Sequence, residues 1–123
     1  VEYSHGNEAL SFDYEGVLSR LDGDEELLAT ILQAAQVDLQ QTLQKLQTAL
    51  AQQHQEAIVR HTHSLKGISA SAGAEQVREL AILAEIAARQ GEWHTINALL
   101  PSLKKTIMNF CAVASQYRPS TNN

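Results

Sequence analysis

The sequence predicts an all-α protein: an antiparallel up-down-up-down four-helix bundle with a short extra N-terminal helix. Three observations carry this expectation. Ala (17), Leu (16) and Gln (12) dominate the 123 residues, whereas Gly (6), Pro (2) and aromatics (5%) are scarce. That composition favours helix and disfavours a β-sandwich or barrel. Apolar residues recur at i, i+3 and i+4 along most of the chain. The breaks between periodic stretches are short, and short connections force neighbouring helices to run antiparallel.

Residues 1–11 lack sustained periodicity and read as a linker. The domain itself spans 12–117. Asp13 follows Phe12 as an N-cap, and Tyr14, Val17, Leu18 and Leu21 mark a short first helix. Asp22-Gly23-Asp24 ends it, and Asp24 caps the next, with Glu25 and Glu26 favourably placed in the helix dipole. The second helix is long, about 25–51. Leu28, Leu32, Ala35, Leu39, Leu43 (with Leu46) and Leu50 line one face, and Gln residues the other. A turn near 52–55 leads to the third helix, about 55–72, which stops at Gly73. The fourth runs over about 75–90, with Val77, Leu80, Ala81, Ala84 and Ala87 inward, and stops at Gly91. The fifth covers about 92–117. Pro101 lies inside it and is expected to kink or split it, because proline lacks the backbone donor and crowds the preceding turn. Residues 118–123 read as a frayed tail.

Charge and composition narrow the function. A net charge of −5 disfavours nucleic acid and anionic membrane surfaces as partners. The length fits one domain, and few aromatics argue against a broad ligand pocket. Cys111 stands alone, so there is no internal disulfide framework. No apolar run approaches the roughly 20 residues that span a bilayer.

The third helix carries the chemistry, in the run Arg60-His61-Thr62-His63-Ser64-Leu65-Lys66-Gly67-Ile68. On a wheel of about 100° per residue, Ile58, Leu65, Ile68 and Ala72 share one face, with Thr62 and Ser69 at its edge. His61 lies roughly 40° from the centre of that face and His63 roughly 160°. His61 therefore belongs to the buried flank, and His63 faces water. Residues i and i+2 of a helix diverge by about 200°, which argues against one metal ion held by both histidines.

His63 has Lys66 at i+3 and Gly67 at i+4, with Val59 and Ala70 on the same side. A mid-helix glycine costs about 1 kcal/mol relative to alanine, so it needs a reason. Close approach of another molecule to the imidazole supplies one. Neutral imidazole can accept a phosphoryl group, and an ammonium one turn away stabilises the charge on its oxygens. Glu85 lies as far after the third turn as His63 lies before it, so an antiparallel hairpin sets them level. Glu85 then either accepts the imidazole N–H or is a solvated surface carboxylate.

These residues resemble the histidine-containing phosphotransfer (HPt) domain of bacterial multistep phosphorelays. The resemblance rests on His63-Ser64-Leu65-Lys66-Gly67, then Gly73-Ala74, Leu80-Ala81 and Glu85. It extends back to Phe12-Asp13, Leu18 and Gly23-Asp24-Glu25-Glu26-Leu27-Leu28, and forward to Ala87-Ala88-Arg89-Gln90-Gly91-Glu92. It implies His63 as phosphoacceptor, Lys66 as phosphate stabiliser, Gly67 as clearance for the partner, and Glu85 as the group that orients the imidazole. The implied partners are receiver domains of a hybrid kinase or response regulator, each bringing its own aspartate and Mg²⁺. The HPt domain would hold no metal or cofactor and have no kinase or ATPase activity of its own. It would pass a phosphoryl group from one aspartate to another, in the cytoplasm and as a monomer. Two positions depart from the family's habit. Ala34-Ala35 stands where an aromatic is often found, and Thr62 where Ala is common.

An apolar surface near His63 would serve docking: Val59 and Ala70 on the third helix, beside the basic Arg60, and Ala34 with the exposed Val37 on the second. A single exposed apolar residue such as Val37 is more often a side chain without a role. The start at Val1 and the linker-like residues 1–11 fit the C-terminal module of a hybrid sensor kinase, or a free-standing phosphotransfer protein. Two other readings compete. One is a non-catalytic adaptor or dimerisation bundle with His63 and Lys66 as ordinary surface residues. The other is the dimerising phosphoacceptor hairpin of a histidine kinase. That hairpin carries an acidic residue directly after its histidine, where this chain has Ser64.

Overall fold

The computed structural model describes residues 11–120, and the linker expected over 1–11 lies outside it except for Ser11. Among the described residues five helices follow in order: α1 Tyr14–Arg20, α2 Glu25–Ala51, α3 Gln55–Ala72, α4 Glu75–Arg89 and α5 Trp93–Ala114. The long helices close a ring, with α3 packed on α2 and α4, and α5 on α4 and α2. This is the expected four-helix bundle with a short helix ahead of it. The leucine stripe of α2 fills its centre, where Leu28, Leu32, Leu39 and Leu46 meet Ile58 and Leu65 of α3 and Leu103 and Phe110 of α5. On α4 the inward residues are small: Ala81, Ala84 and Ala88 are fully buried. Small side chains let that helix sit close to its neighbours.

The helices start as their sequences dictate. Asp13 Oδ1 accepts the Gly16 N–H at 3.1 Å, and Asp24 Oδ1 accepts that of Leu27 at 3.0 Å. The cap of α3 is less usual: His54 Nδ1 accepts the Ala57 N–H at 3.2 Å, so that nitrogen carries its lone pair.

Two fastenings fix α3 against α4. At one end the connection is only Gly73-Ala74. Gly73 adopts φ +72°, and its carbonyl accepts the Asp13 N–H at 2.8 Å. Val17 of α1 packs into the space where a Cβ would stand. A cluster of rings closes this end: Phe12 meets Tyr14 and Phe110 edge-on at 6.1 Å, and Tyr14 meets Tyr117 at 5.9 Å. At the other end Gln55, on the first turn of α3, donates to the Ala88 carbonyl at 2.6 Å and accepts from Trp93 Nε1 at 2.6 Å. One side chain thereby ties α3, α4 and α5.

Several details correct the sequence reading. Thr62 and Ser69 are fully buried in the core and not at its edge. Their hydroxyls donate to the carbonyls of Ile58 and Leu65, at 3.0 and 2.7 Å, so no polar group is stranded. Pro101 does not split α5, which continues unbroken to Ala114. Pro101 and Asn97 are both exposed, so the carbonyl that loses its partner faces water. Of the expected tail, Ser120 donates its backbone N–H to the Glu25 carboxylate, which brings the chain back to the start of α2.

Gly73→Ala should destabilise the fold more than Gly23→Ala. Both positions have positive φ, but a Cβ at residue 23 meets nothing within 4 Å, whereas one at residue 73 falls 2.5 Å from Val17 Cγ2. In urea titrations we expect a loss of about 1 kcal/mol for Gly23→Ala and clearly more for Gly73→Ala; equal losses would show that Val17 yields freely.

Candidate functional site

His63 stands in the middle of α3, between the two fastenings, with its side chain 62% exposed. Glu85 faces it from α4 and is nearly buried, at 6% of its side chain. The imidazole Nδ1 lies 2.9 Å from Glu85 Oε2. Lys66 Nζ sits 2.6 Å from Glu85 Oε1. Arg89, one turn beyond Glu85 on α4, places Nη2 2.7 Å from the same Oε2 that holds His63. Three nitrogens from two helices thus converge on one carboxylate.

The electrostatics follow. Burial pushes the Glu85 carboxyl up, but hydrogen bonds from Lys66, Arg89 and His63 outweigh it and hold the pKa down at about 2. Glu85 is therefore an anion near neutral pH and can only accept hydrogen bonds. The His63 nitrogen that faces it must carry the proton. In the neutral ring this leaves the lone pair on Nε2, which points away from Glu85 and bonds to no described residue.

Gly67 is exposed, and a Cβ built there meets nothing within 4 Å. Nothing among the described residues therefore calls for glycine in mid-helix. Of the other candidates on α3, Val59 and Ala70 are half-buried beside His63 and Arg60 is exposed. Ala34 is exposed on α2. Val37 is 52% exposed but lies in the groove between α2 and α5, with Met108 and Cys111, and is not brought to His63. His61 turns to the opposite side of α3, into a groove shared with α2.

Sequence reasoning missed Arg89. Its i+4 spacing from Glu85 was legible as an ion-pair signal, but only the shared oxygen shows that it acts on the same atom as His63. It also missed Leu83 and Ile86, exposed at 53% and 52% on the outer side of α4 next to Glu85.

The chain belongs to the Hpt domain family, whose sequence model it matches over residues 25–111. Hpt domains carry phosphoryl groups in two-component phosphorelays and work with receiver domains. Among solved structures, the fold is similar to histidine-containing phosphotransfer protein B (HptB) from Pseudomonas aeruginosa PAO1. The TM-score is 0.80 at 24% identity, over 88% of this chain and 97% of that one. No curated protein matches the sequence. Among the described residues, no helix is long and apolar enough to cross a membrane.

Two measurements check the network. Nitrogen NMR of the neutral His63 ring should show the Nδ1–H tautomer in the wild type and a mixture in Glu85→Ala; a mixture in both would mean that the contact does not persist in solution. The depressed Glu85 pKa stabilises the fold above its ordinary value of 4.5, and this contribution is lost as pH falls from 4.5 to about 2. The stability gap between wild type and Glu85→Gln should therefore shrink across that window, and a constant gap would contradict the assignment.

Proposed function

We propose that His63 is the residue through which this Hpt domain accepts and passes on a phosphoryl group. One observation carries the reading: the exposed imidazole has Nδ1 fixed by an ionised carboxylate and Nε2 free toward solvent. The step needs little more. The Nε2 lone pair attacks the phosphorus of an aspartyl phosphate on the partner. The N–P bond forms as the bond to the aspartyl oxygen breaks, and the partner's carboxylate leaves. Nδ1 keeps its proton, and Glu85 stabilises the positive charge that grows on the ring. Onward transfer is the reverse, with a second aspartate attacking phosphorus and the ring leaving.

The other residues take supporting roles. Lys66 lies one turn from His63 on the same helix; its ammonium rests on Glu85 Oε1, and its flexible side chain swings from there toward the charge on the phosphoryl oxygens. Arg89 is a positioning residue that acts through Glu85. Gly67, with empty space where its Cβ would be, clears the approach of the partner. Val59, Arg60, Ala70 and Ala34 border this approach. The partner is a receiver domain that supplies the aspartate and its own Mg²⁺, so this chain contributes no metal ligand. The domain works as a monomer in the cytoplasm, as a module of a sensor kinase or on its own.

Incubation with a phosphorylated receiver domain should place acid-labile, base-stable label on the wild type and none on His63→Gln; label on the variant would assign the acceptor elsewhere. Lys66→Ala should slow transfer by on the order of 10- to 100-fold with its helical circular dichroism intact, and a loss of helicity would mark its role as structural. Gly67→Ala should raise stability by about 1 kcal/mol and yet slow transfer. A variant more stable and equally fast would show that glycine clears nothing.

A further inference from the structure

A second feature lies one turn down the seam between α2 and α3, toward the α2–α3 turn. There a groove of about 520 Å³ is lined by Lys45, His54, Arg60 and His61, with uncharged side chains between them. No carboxylate lines it. Lys45 and Arg60 are exposed, and among the described residues neither has an acidic side chain within ion-pair distance, although Glu56 stands at i−4 from Arg60. This differs from the pair beside His63, where Lys66 and Arg89 share Glu85. The charges of the groove act on one another. Burial, then the Arg60 guanidinium and the Lys45 ammonium, hold the half-buried His61 below its ordinary pKa.

Such a groove is out of keeping with a chain of net charge −5. Like charges placed close together without a counter-charge raise the energy of the free protein, and an incoming anion relieves it. The location limits what that anion belongs to. Arg60 lies three residues before His63, about 4.5 Å along the helix axis and roughly 60° around it, so the Arg60 rim of the groove adjoins the face that presents His63.

We propose that this groove receives acidic side chains from the edge of the receiver domain that engages His63, and so sets the orientation in which it docks. The inference rests on the reading of His63 as the phosphoacceptor. It adds Lys45, and the groove face of Arg60, as residues that select the partner without taking part in the chemistry. The electrostatic logic is specific. The carboxylates that hold Mg²⁺ beside the partner's aspartate are committed to the ion, so the groove takes other acidic side chains, farther out on the same docking face, which the net charge of this chain would otherwise repel at long range. A local positive groove reverses that sign only where the partner must land, which favours one orientation and speeds encounter.

The test separates docking from chemistry. The probe is the isolated receiver domain of the transfer assay, fluorescently labelled and titrated against His63→Gln protein, which cannot turn over. We expect Lys45→Glu with Arg60→Glu, in that background, to weaken binding by at least about tenfold at low salt, with the gap narrowing at high salt. Amide NMR shifts on adding the receiver should include Gln44, Lys45, Arg60 and His61. Lys104→Glu with Lys105→Glu, which makes the same charge change on exposed positions of α5, should leave binding as it was. Unchanged binding in the Lys45, Arg60 variant would overturn the proposal, as would an equal loss in the Lys104, Lys105 variant, since net charge alone would then be responsible. Circular dichroism guards against unfolding. Failure of wild type to take up label while it binds the receiver would instead sink the assignment of His63 and leave the groove standing.

Discussion

The relative register of α3 and α4 is the constraint on which the rest of this molecule depends. His63 and Glu85 are 22 residues apart in sequence, and their 2.9 Å contact exists only if two helices run antiparallel without slipping. A slip of one residue along either helix moves its side chains by about 1.5 Å and turns them by about 100°, enough to remove any side-chain contact of this kind. The two-residue connection at Gly73-Ala74 leaves almost no freedom at one end, and Gln55 clamps the other through Ala88 and Trp93. The short helix α1 gains a purpose from this. It lies against the Gly73 turn, with Asp13 bonded to the Gly73 carbonyl and Val17 filling the space beside it.

Glu85 is where this mechanical precision becomes chemistry. A nearly buried carboxylate ordinarily shifts toward its neutral form. Here three donors reverse the shift, and the anion in turn fixes which imidazole nitrogen is protonated. The donors Lys66 and Arg89 reach in from the surface, and their loss would leave the nearly buried Glu85 anion short of partners. The arrangement places the charged pieces of the site at the boundary between core and solvent. Fields are stronger there than in open water, and a partner can still reach the imidazole.

The same boundary explains why the chain can work without an enclosed pocket. Phosphoryl transfer is largely a matter of positioning and charge, and a domain that presents one oriented nucleophile leaves the remaining groups to its partner. Recognition then has to come from the surface around that nucleophile. Beside His63 that surface is uneven: exposed Leu83 and Ile86 lie on the α4 side, and an unpaired basic groove lies on the α2 side. Asymmetry of this sort gives docking a direction.

Much of this was written in the sequence. The leucine stripe of α2, the Asp13 and Asp24 caps and the Gly73 stop are local signals, and local signals act through short-range sterics and hydrogen bonds that any reader of the chain can apply. The divergence of His61 and His63 followed from helix geometry alone, and the level placement of His63 and Glu85 from counting residues out of a short turn. The tertiary structure decided what depends on more than one helix at a time. Thr62 and Ser69 went to the core because two neighbours close over them, and Pro101 was tolerated because that side of α5 faces water. Val37 was drawn toward α5 by the rotation of α2, which periodicity does not specify for a mostly polar face. Glu85 read equally as a surface carboxylate until burial and three converging donors were seen together, since the pull on a proton is set by distances in space and not by spacing along the chain.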